Sequence, residues 1–546
     1  MKNYNIKSKI IFLAILFFGI FGLVEISRAA WTPPIGIPVP PFPSDLDVVR
    51  PAPPIPWTSE VAGNYYIQRD QAGCSDSRAY GAPSAARCSL PSSPPAGSKV
   101  FLHGVYSTYP TISWTGTANS PIWLIAYDNS NKPNMSNGYA VNSIYTILDG
   151  ISSSMTVSGG IGVAGRYTML RNFTFTNSAD GSNYSGVAVG GGGNNIVIYK
   201  ATVGPLGNWQ YAGAGDIDTH GGNVSGNANY IWFLDSTWFH AHGDGIQIEN
   251  GSGNAAGAHH IYIGRNLAYE NYQSGFWTKN ATDVIMSQNE VWGMHVIPTN
   301  ASVGEAMGGQ YDPKYVWFIA NKLHDSSIGL KMSGGNNGGG GPWYAIGNVI
   351  YNIYHSTAAC NPWGMGALSY RNEGGLYAYF NTIDNVDSFI SVIPANSGEF
   401  RDNIFTNQYT PAGCPALNDD GYGTYTIDYN LWDNDNIITK YNGTIRTTLS
   451  SFASATGQET HRVVGSPLLN VDRSISSNSP AIDTANPTEE AVFATFQSRY
   501  GVDIRKDFAG STRPSGARWD IGAYEYVSGA PVDTTPPAAP SGLVVN

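Results

Sequence analysis

The sequence predicts an all-β solenoid, a long stack of short strands wound coil upon coil. Three observations carry this expectation. The 546-residue chain holds 64 glycines with only 13% charged residues, and no stretch keeps a long helical periodicity. Short alternating strands open at intervals of about 25 to 30 residues, the spacing of stacked structural repeats. The joints between them are glycine or Asn/Asp/Ser turns rather than the Asn-Gly hairpins of a sandwich, and the period is shorter than a four-stranded propeller blade.

Taken in order, the chain begins with Lys2, Lys7 and Lys9, an apolar run from Ile10 to Val24, and Ser27-Arg28-Ala29. This is the pattern of a secretory signal peptide over 1–29, cleaved after Ala29. The run is short for a bilayer span, so an exported, soluble protein, secreted or at the cell surface, is expected. Residues 30–57 are crowded with proline and read as an extended linker, lying along the domain or standing it off a surface. The solenoid is expected over 58–465, with a terminating segment over 466–526 and a proline-rich tail over 527–546. Four cysteines in an exported chain predict two disulfides, Cys74 with Cys88 and Cys360 with Cys414. The formal net charge of -11 disfavours nucleic acid as a partner; an acidic polymer would need local cations or a metal to offset the repulsion. A monomer is expected.

The most site-like stretch is His240 to Glu290. Each coil there reads as a glycine, a short alternating strand, a loop, and a second apolar strand ending in Asn. Period-2 alternation turns Ile246, Ile248, Phe276 and Thr278 to one face and Gln247, Glu249, Trp277 and Lys279 to the other. If the strands stack in register, Glu249 and Lys279 sit one rung apart on an exposed ladder, about 4.8 Å. With Ile217 placed inward, Asp216 and Asp218 face outward beside Gln247 and Glu249, and Lys331 follows two rungs beyond Lys279. His220, His242 and Asp244 stand at the edges. A one-residue slip would invert any of these placements.

Several segments carry a family resemblance: AGSKVFLHG and SPIWLIAYDN near the start, the ILDG turn, the asparagine-ended rungs GRN, SQN, ANK and IGN, and the ending SPAIDTANP, DIRKDFAGSTRP, WDIGAYEY. On these the chain resembles secreted bacterial right-handed parallel β-helix proteins of the pectate-lyase-like superfamily, from Asn64 to Tyr526. After Tyr526, VDTTPPAAPSGLVVN resembles the start of a fibronectin type III module. The resemblance implies the architecture; the fold hosts lyases, hydrolases, epimerases and non-catalytic proteins. A local resemblance to family 9 polysaccharide lyases implies calcium held by Asp244 with Asp216 or Asp218, and Lys279 or Lys331 as the base. Here, though, His242-Gly-Asp244 stands where those enzymes have adjacent aspartates.

Three functions follow as expectations. The first is calcium-assisted β-elimination on an acidic polysaccharide, with Trp277, Gln247, Glu249 and His242 as substrate-binding residues. The second is a non-catalytic glycan-binding or adhesive protein using aromatic stacking. The third is glycoside hydrolysis, with Asp218, Asp244 or Glu249 as acid and base.

Overall fold

Three long parallel sheets run the length of the molecule. The computed structural model describes residues 30–179, 184–210, 218–249, 257–294, 304–334, 340–354, 366–371, 374–393, 397–409, 414–419, 421, 424–486 and 490–528. The first sheet has 14 strands, from Asn64–Ile67 to Thr424–Asp428; the second has 14, from Thr111–Ile112 to Thr444–Arg446; the third has 12, from Ser153–Met155 to Val463–Val464. Neighbours in each sheet come from successive coils and pair in parallel, except at the antiparallel hairpin of Thr439–Tyr441 with Thr444–Arg446. The chain is therefore a parallel β-helix.

Each coil has three strands where two were expected. The apolar segment YIWFLDSTW forms Asn229–Leu234 in the first sheet and Thr237–Phe239 in the third. Between them the chain turns at Asp235, with φ of 50°. Arg265, Gln288, Ala320 and Gly347 take the same left-handed conformation in later coils. Such a corner uses only about two residues, with no run of turn residues to mark it, although it shifts the inward positions from Ile231 and Phe233 to Trp238.

The residue after each corner explains the asparagine-ended rungs. Asn266, Asn289, Asn321, Asn348, Asn381, Asn403 and Asn430 form a buried ladder. Each side-chain amide donates to the next side-chain oxygen at 2.8–3.1 Å. Each also donates to a backbone carbonyl of the preceding coil, as Asn348 does to Phe318 at 3.0 Å. The ladder ends on the buried Glu459, whose Oε1 accepts from Asn430 at 2.8 Å and from the Trp432 indole at 2.8 Å. Burial pushes this carboxyl up to about 8, against the pull of those two donors.

Inward side chains of all three sheets fill one continuous core, closed at the C-terminal end by Leu449 and Phe452 of the helix Leu449–Thr456. A second core covers the outer face of the first sheet. There a row runs from Trp123 through Val197 and Trp232 to Trp317, too apolar to be left to water. Ile35, Ile37, Phe42, Leu46 and Trp57 of the proline-rich segment pack on it, with Phe493 and Phe496 of the helix Glu490–Tyr500. Of its two expected arrangements, the proline-rich segment thus lies along the domain. Arg171 fastens it, donating to the carbonyls of Leu46 and Val48 at 2.8 and 2.9 Å while pairing with buried Asp149. Among the described residues, no helix is long and apolar enough to cross a membrane.

The Cys74–Cys88 disulfide is formed, with a Cα–Cα distance of 5.1 Å. Cys414 is disulfide-bonded as well, while Cys360 lies outside the described residues.

Candidate functional site

The outer face of the second sheet carries the chemistry. Its outward row reads Gly162, Ala188, Asn223, Gln247, Trp277, Gly308, Lys331 and Ser369, one residue per coil. This corrects one expected rung. The strand beside Gly245–Glu249 is His220–Val224, not the 216–218 segment, so Asn223 rather than Asp218 is the neighbour of Gln247. The cause lies in the close packing there: a Cβ on Gly221 would clash with the Gly245 carbonyl oxygen and come within 3.1 Å of the Trp238 ring, and one on Gly222 within 3.2 Å of that ring. That crowding demands glycines and hides the strand from a pattern search. Asp218 lies just before it, accepting from the Gln273 amide at 3.0 Å; Asp216 lies outside the described residues.

Where the chain enters these strands, a second row brings together His220, Asp244, Ser274 and Glu305. His220 and Asp244 are both buried, with His220 Nδ1 3.5 Å from Asp244 Oδ2 and accepting the Asp244 backbone N–H at 3.0 Å. That bond fixes the neutral tautomer, leaving the proton on Nε2. Burial pushes the His220 imidazole below its ordinary range, Lys279 adding to the effect and Asp218 opposing it. Burial also pushes the Asp244 carboxyl up, to about 7; Lys279 and Ser274 pull it down while Asp218 and Glu305 push it further. Among the described residues Asp244 Oδ2 and Gln247 Oε1 are buried with no hydrogen-bond donor. Asp218, His220, Asn223 and Gln247 line a cleft of about 590 Å³ that extends toward Tyr109 and Tyr184.

The two lysines fare differently. Lys279 ends the strand Ser274–Lys279, half-buried, and acts electrostatically on both Asp244 and His220. Lys331 is committed to an ion pair with the buried Glu305. Glu305, which also accepts from Ser274 at 3.4 Å, had no place in the sequence reading. It could have been found, since it stands in register with Ser274 and hence two positions before the inward Met307.

Three expected substrate-binding residues are corrected. Trp277 keeps its outward register but is 7% exposed, its ring lying against Gly308, where a Cβ would be 2.8 Å away. It is covered and offers no open face for stacking. His242 is fully buried, its ring edge-on to Tyr272 at 4.7 Å. Glu249 leaves the strand with φ of 58°, and its carboxylate accepts the Ala258 N–H at 2.9 Å. The expected Glu249–Lys279 ladder pair is therefore not made. Gln247 remains in the groove.

Calcium prefers six to eight oxygen ligands. Among the described residues no three His, Cys, Asp or Glu side chains converge on a point that could hold a metal ion. Asp244 and Asp218 supply too few oxygens between them, and Asp244 lies against the His220 ring, so the described residues do not fit the expected calcium site. The third sheet carries a separate aromatic file. Phe239, Tyr269, Trp292, His324 and Tyr351 stack on successive coils at 4.8–5.7 Å. Their faces cover one another along the file and Arg473 caps the Tyr351 face at 3.9 Å, which makes this a structural stack.

No protein-family model matches the chain, and no curated protein sequence does. Solved structures similar to it include the pectate lyase Pel9A, at 12% identity and a TM-score of 0.38, covering 85% of this chain and 96% of that one. A rhamnogalacturonan lyase matches at 14% identity and a TM-score of 0.35, covering 76% and 87%. The GH136 lacto-N-biosidase from Eubacterium ramulus matches at 14% and 0.38, covering 68% and 67%.

Proposed function

We propose that the chain cleaves a uronate-containing polysaccharide by β-elimination in the second-sheet groove, with Lys279 as the base. One observation carries this reading: of the two outward lysines, Lys279 alone belongs to the His220–Asp244 cluster, while Lys331 is held by Glu305. In the elimination, Lys279 in its amine form takes the proton beside the uronate carboxylate. That electron pair forms the carbon–carbon double bond, and the glycosidic C–O bond breaks. The departing oxygen takes a proton from the Asp244 carboxyl, whose raised range suits a donor, or from water. The Lys331–Glu305 pair stiffens the far side of the groove. An exported protein, as the N-terminal pattern implies, would meet such polymers outside the cytoplasm.

A second reading rests on Asp244 itself. A buried carboxyl raised to about 7, with Asp218 acting on it, is also the acid of a hydrolytic carboxyl pair. The experiment is a panel of acidic polysaccharides, followed by ultraviolet absorbance of unsaturated uronate, with calcium and with chelator. Absorbance that rises with the full chain and is lost in Lys279→Ala supports elimination. Reducing ends without absorbance support hydrolysis. A need for calcium would bring Asp216, Asp218 and Asp244 back as ligands.

A further inference from the structure

The groove is electrostatically divided along the helix axis, and this bears on which polymer fits it. On the C-terminal side of Gln247 stand Lys279 and Lys331, and Arg371 continues the Lys279, Gln310, Ser333 file. On the N-terminal side lies the cleft, and its described lining contains no lysine or arginine. Its ionisable groups besides tyrosines are Asp218 and the buried His220, whose imidazole burial keeps neutral. A uronate carboxylate placed there would meet the like charge of Asp218, with no lysine or arginine in the described lining beside it and Lys279 reaching only its inner end at His220.

The same cleft is shaped for an uncharged sugar. Its floor is Gly162 and Ala188 in successive coils, so no side chain rises from it. Tyr109, 51% exposed, overhangs this floor; a Cβ on Gly162 would be 3.4 Å from its hydroxyl oxygen. At the inner end Gln247 is 3% exposed, and its Oε1 has no donor among the described residues. A buried acceptor without a donor costs about 1–3 kcal/mol, which a ligand hydroxyl would recover. From Gly162 to Gln247 is three rungs of about 4.8 Å, room for more than one sugar ring.

We infer that the substrate is a heteropolysaccharide in which the uronate at the lysines is joined, on the Tyr109 side, to an uncharged sugar seated on the Gly162–Ala188 floor and bonded to Gln247. This rests on the proposed cleavage of a uronate polymer in the groove. A homopolyuronate is a poor ligand on this account, because its next carboxylate falls beside Asp218.

The test is calorimetric binding to the full chain carrying Lys279→Ala, which prevents turnover. The probes are oligogalacturonate, and length-matched alternating oligosaccharides of uronate with a neutral sugar, taken from a rhamnogalacturonan backbone and from hyaluronan. At least one alternating probe is expected to bind roughly tenfold or more tighter than oligogalacturonate. Adding Tyr109→Ala, or Gly162→Val to fill the floor, is expected to erase that difference. Oligogalacturonate binding as tightly as the alternating probes overturns this inference and leaves the cleavage reading standing. A preference that survives both added substitutions also overturns it. No binding to any probe removes the glycan reading and this inference together.

Discussion

Two rows of buried polar side chains run along the same solenoid, and they differ in whether their partners are present. In the asparagine ladder every amide from Asn266 to Asn430 has its acceptors, and the last is met by Glu459. On the second sheet, His220, Asp244 and Gln247 are just as buried, yet Asp244 Oδ2 and Gln247 Oε1 lack donors among the described residues. The first row is closed along its asparagines, with only Glu459 Oε2 at its end lacking a donor among the described residues, and it holds coils in register. The second spends stability on groups that something from outside must satisfy, as functional sites do.

That contrast can be broken by substitution. The largest effect is expected for Asn348→Leu, which strands the Asn321 backbone N–H and one of its side-chain amide hydrogens and takes a donor from the Phe318 carbonyl. Denaturant unfolding should show a loss of about 3 kcal/mol or more. Lys279→Ala should lower the rate of polysaccharide cleavage by about a hundredfold or more with an unchanged melting temperature. Glu459→Gln sharpens the ladder's end. The Glu459 carboxyl is raised above its unfolded range, so the folded state holds the extra proton. Its contribution is full below about 4.5 and lost as pH rises through about 8, by about 1.4 kcal/mol per unit between. The glutamine variant should lack that part of the slope in unfolding measured across this range. The smallest effect is expected at Gln247→Met: stability unchanged or raised by up to about 1 kcal/mol, with weaker glycan binding. A large destabilisation there would mean that the second row is structural after all.

Much of the fold was legible. Glycine-led openings at Gly275 and Gly329, and the apolar segments between them, became strands of the second sheet and its neighbours. The outward placement of Gln247 and Lys331 also held, because alternation reports inside against outside directly. The third strand of each coil escaped because the corner at residues such as Asp235 is only about two residues long, too short to read as a break, even though it shifts the inward positions from Ile231 and Phe233 to Trp238. The rung His220–Val224 escaped because the Gly245 carbonyl and the Trp238 ring crowd its two glycines, where a side chain pattern should have been. Trp277 shows the same limit: its outward direction was right, but the cover over it came from outside its own strand.

By itself the sequence determined a stack of coils, their spacing, the asparagines that follow the corners from Arg265 onward and the inside-outside alternation within a strand, since all of these follow from local geometry repeated along one chain. Only the tertiary structure decided which outward residues meet. Asp218, Asp244, Lys279 and Glu305 lie on successive coils, and their electrostatic influence on one another depends on exact register and on how far each side chain folds back, neither of which alternation encodes. The same holds for what covers an outer face. Continuous apolar strands in the first sheet announce burial on both sides, but that residues 30–57 and the C-terminal helix supply the cover is settled by packing between segments hundreds of residues apart.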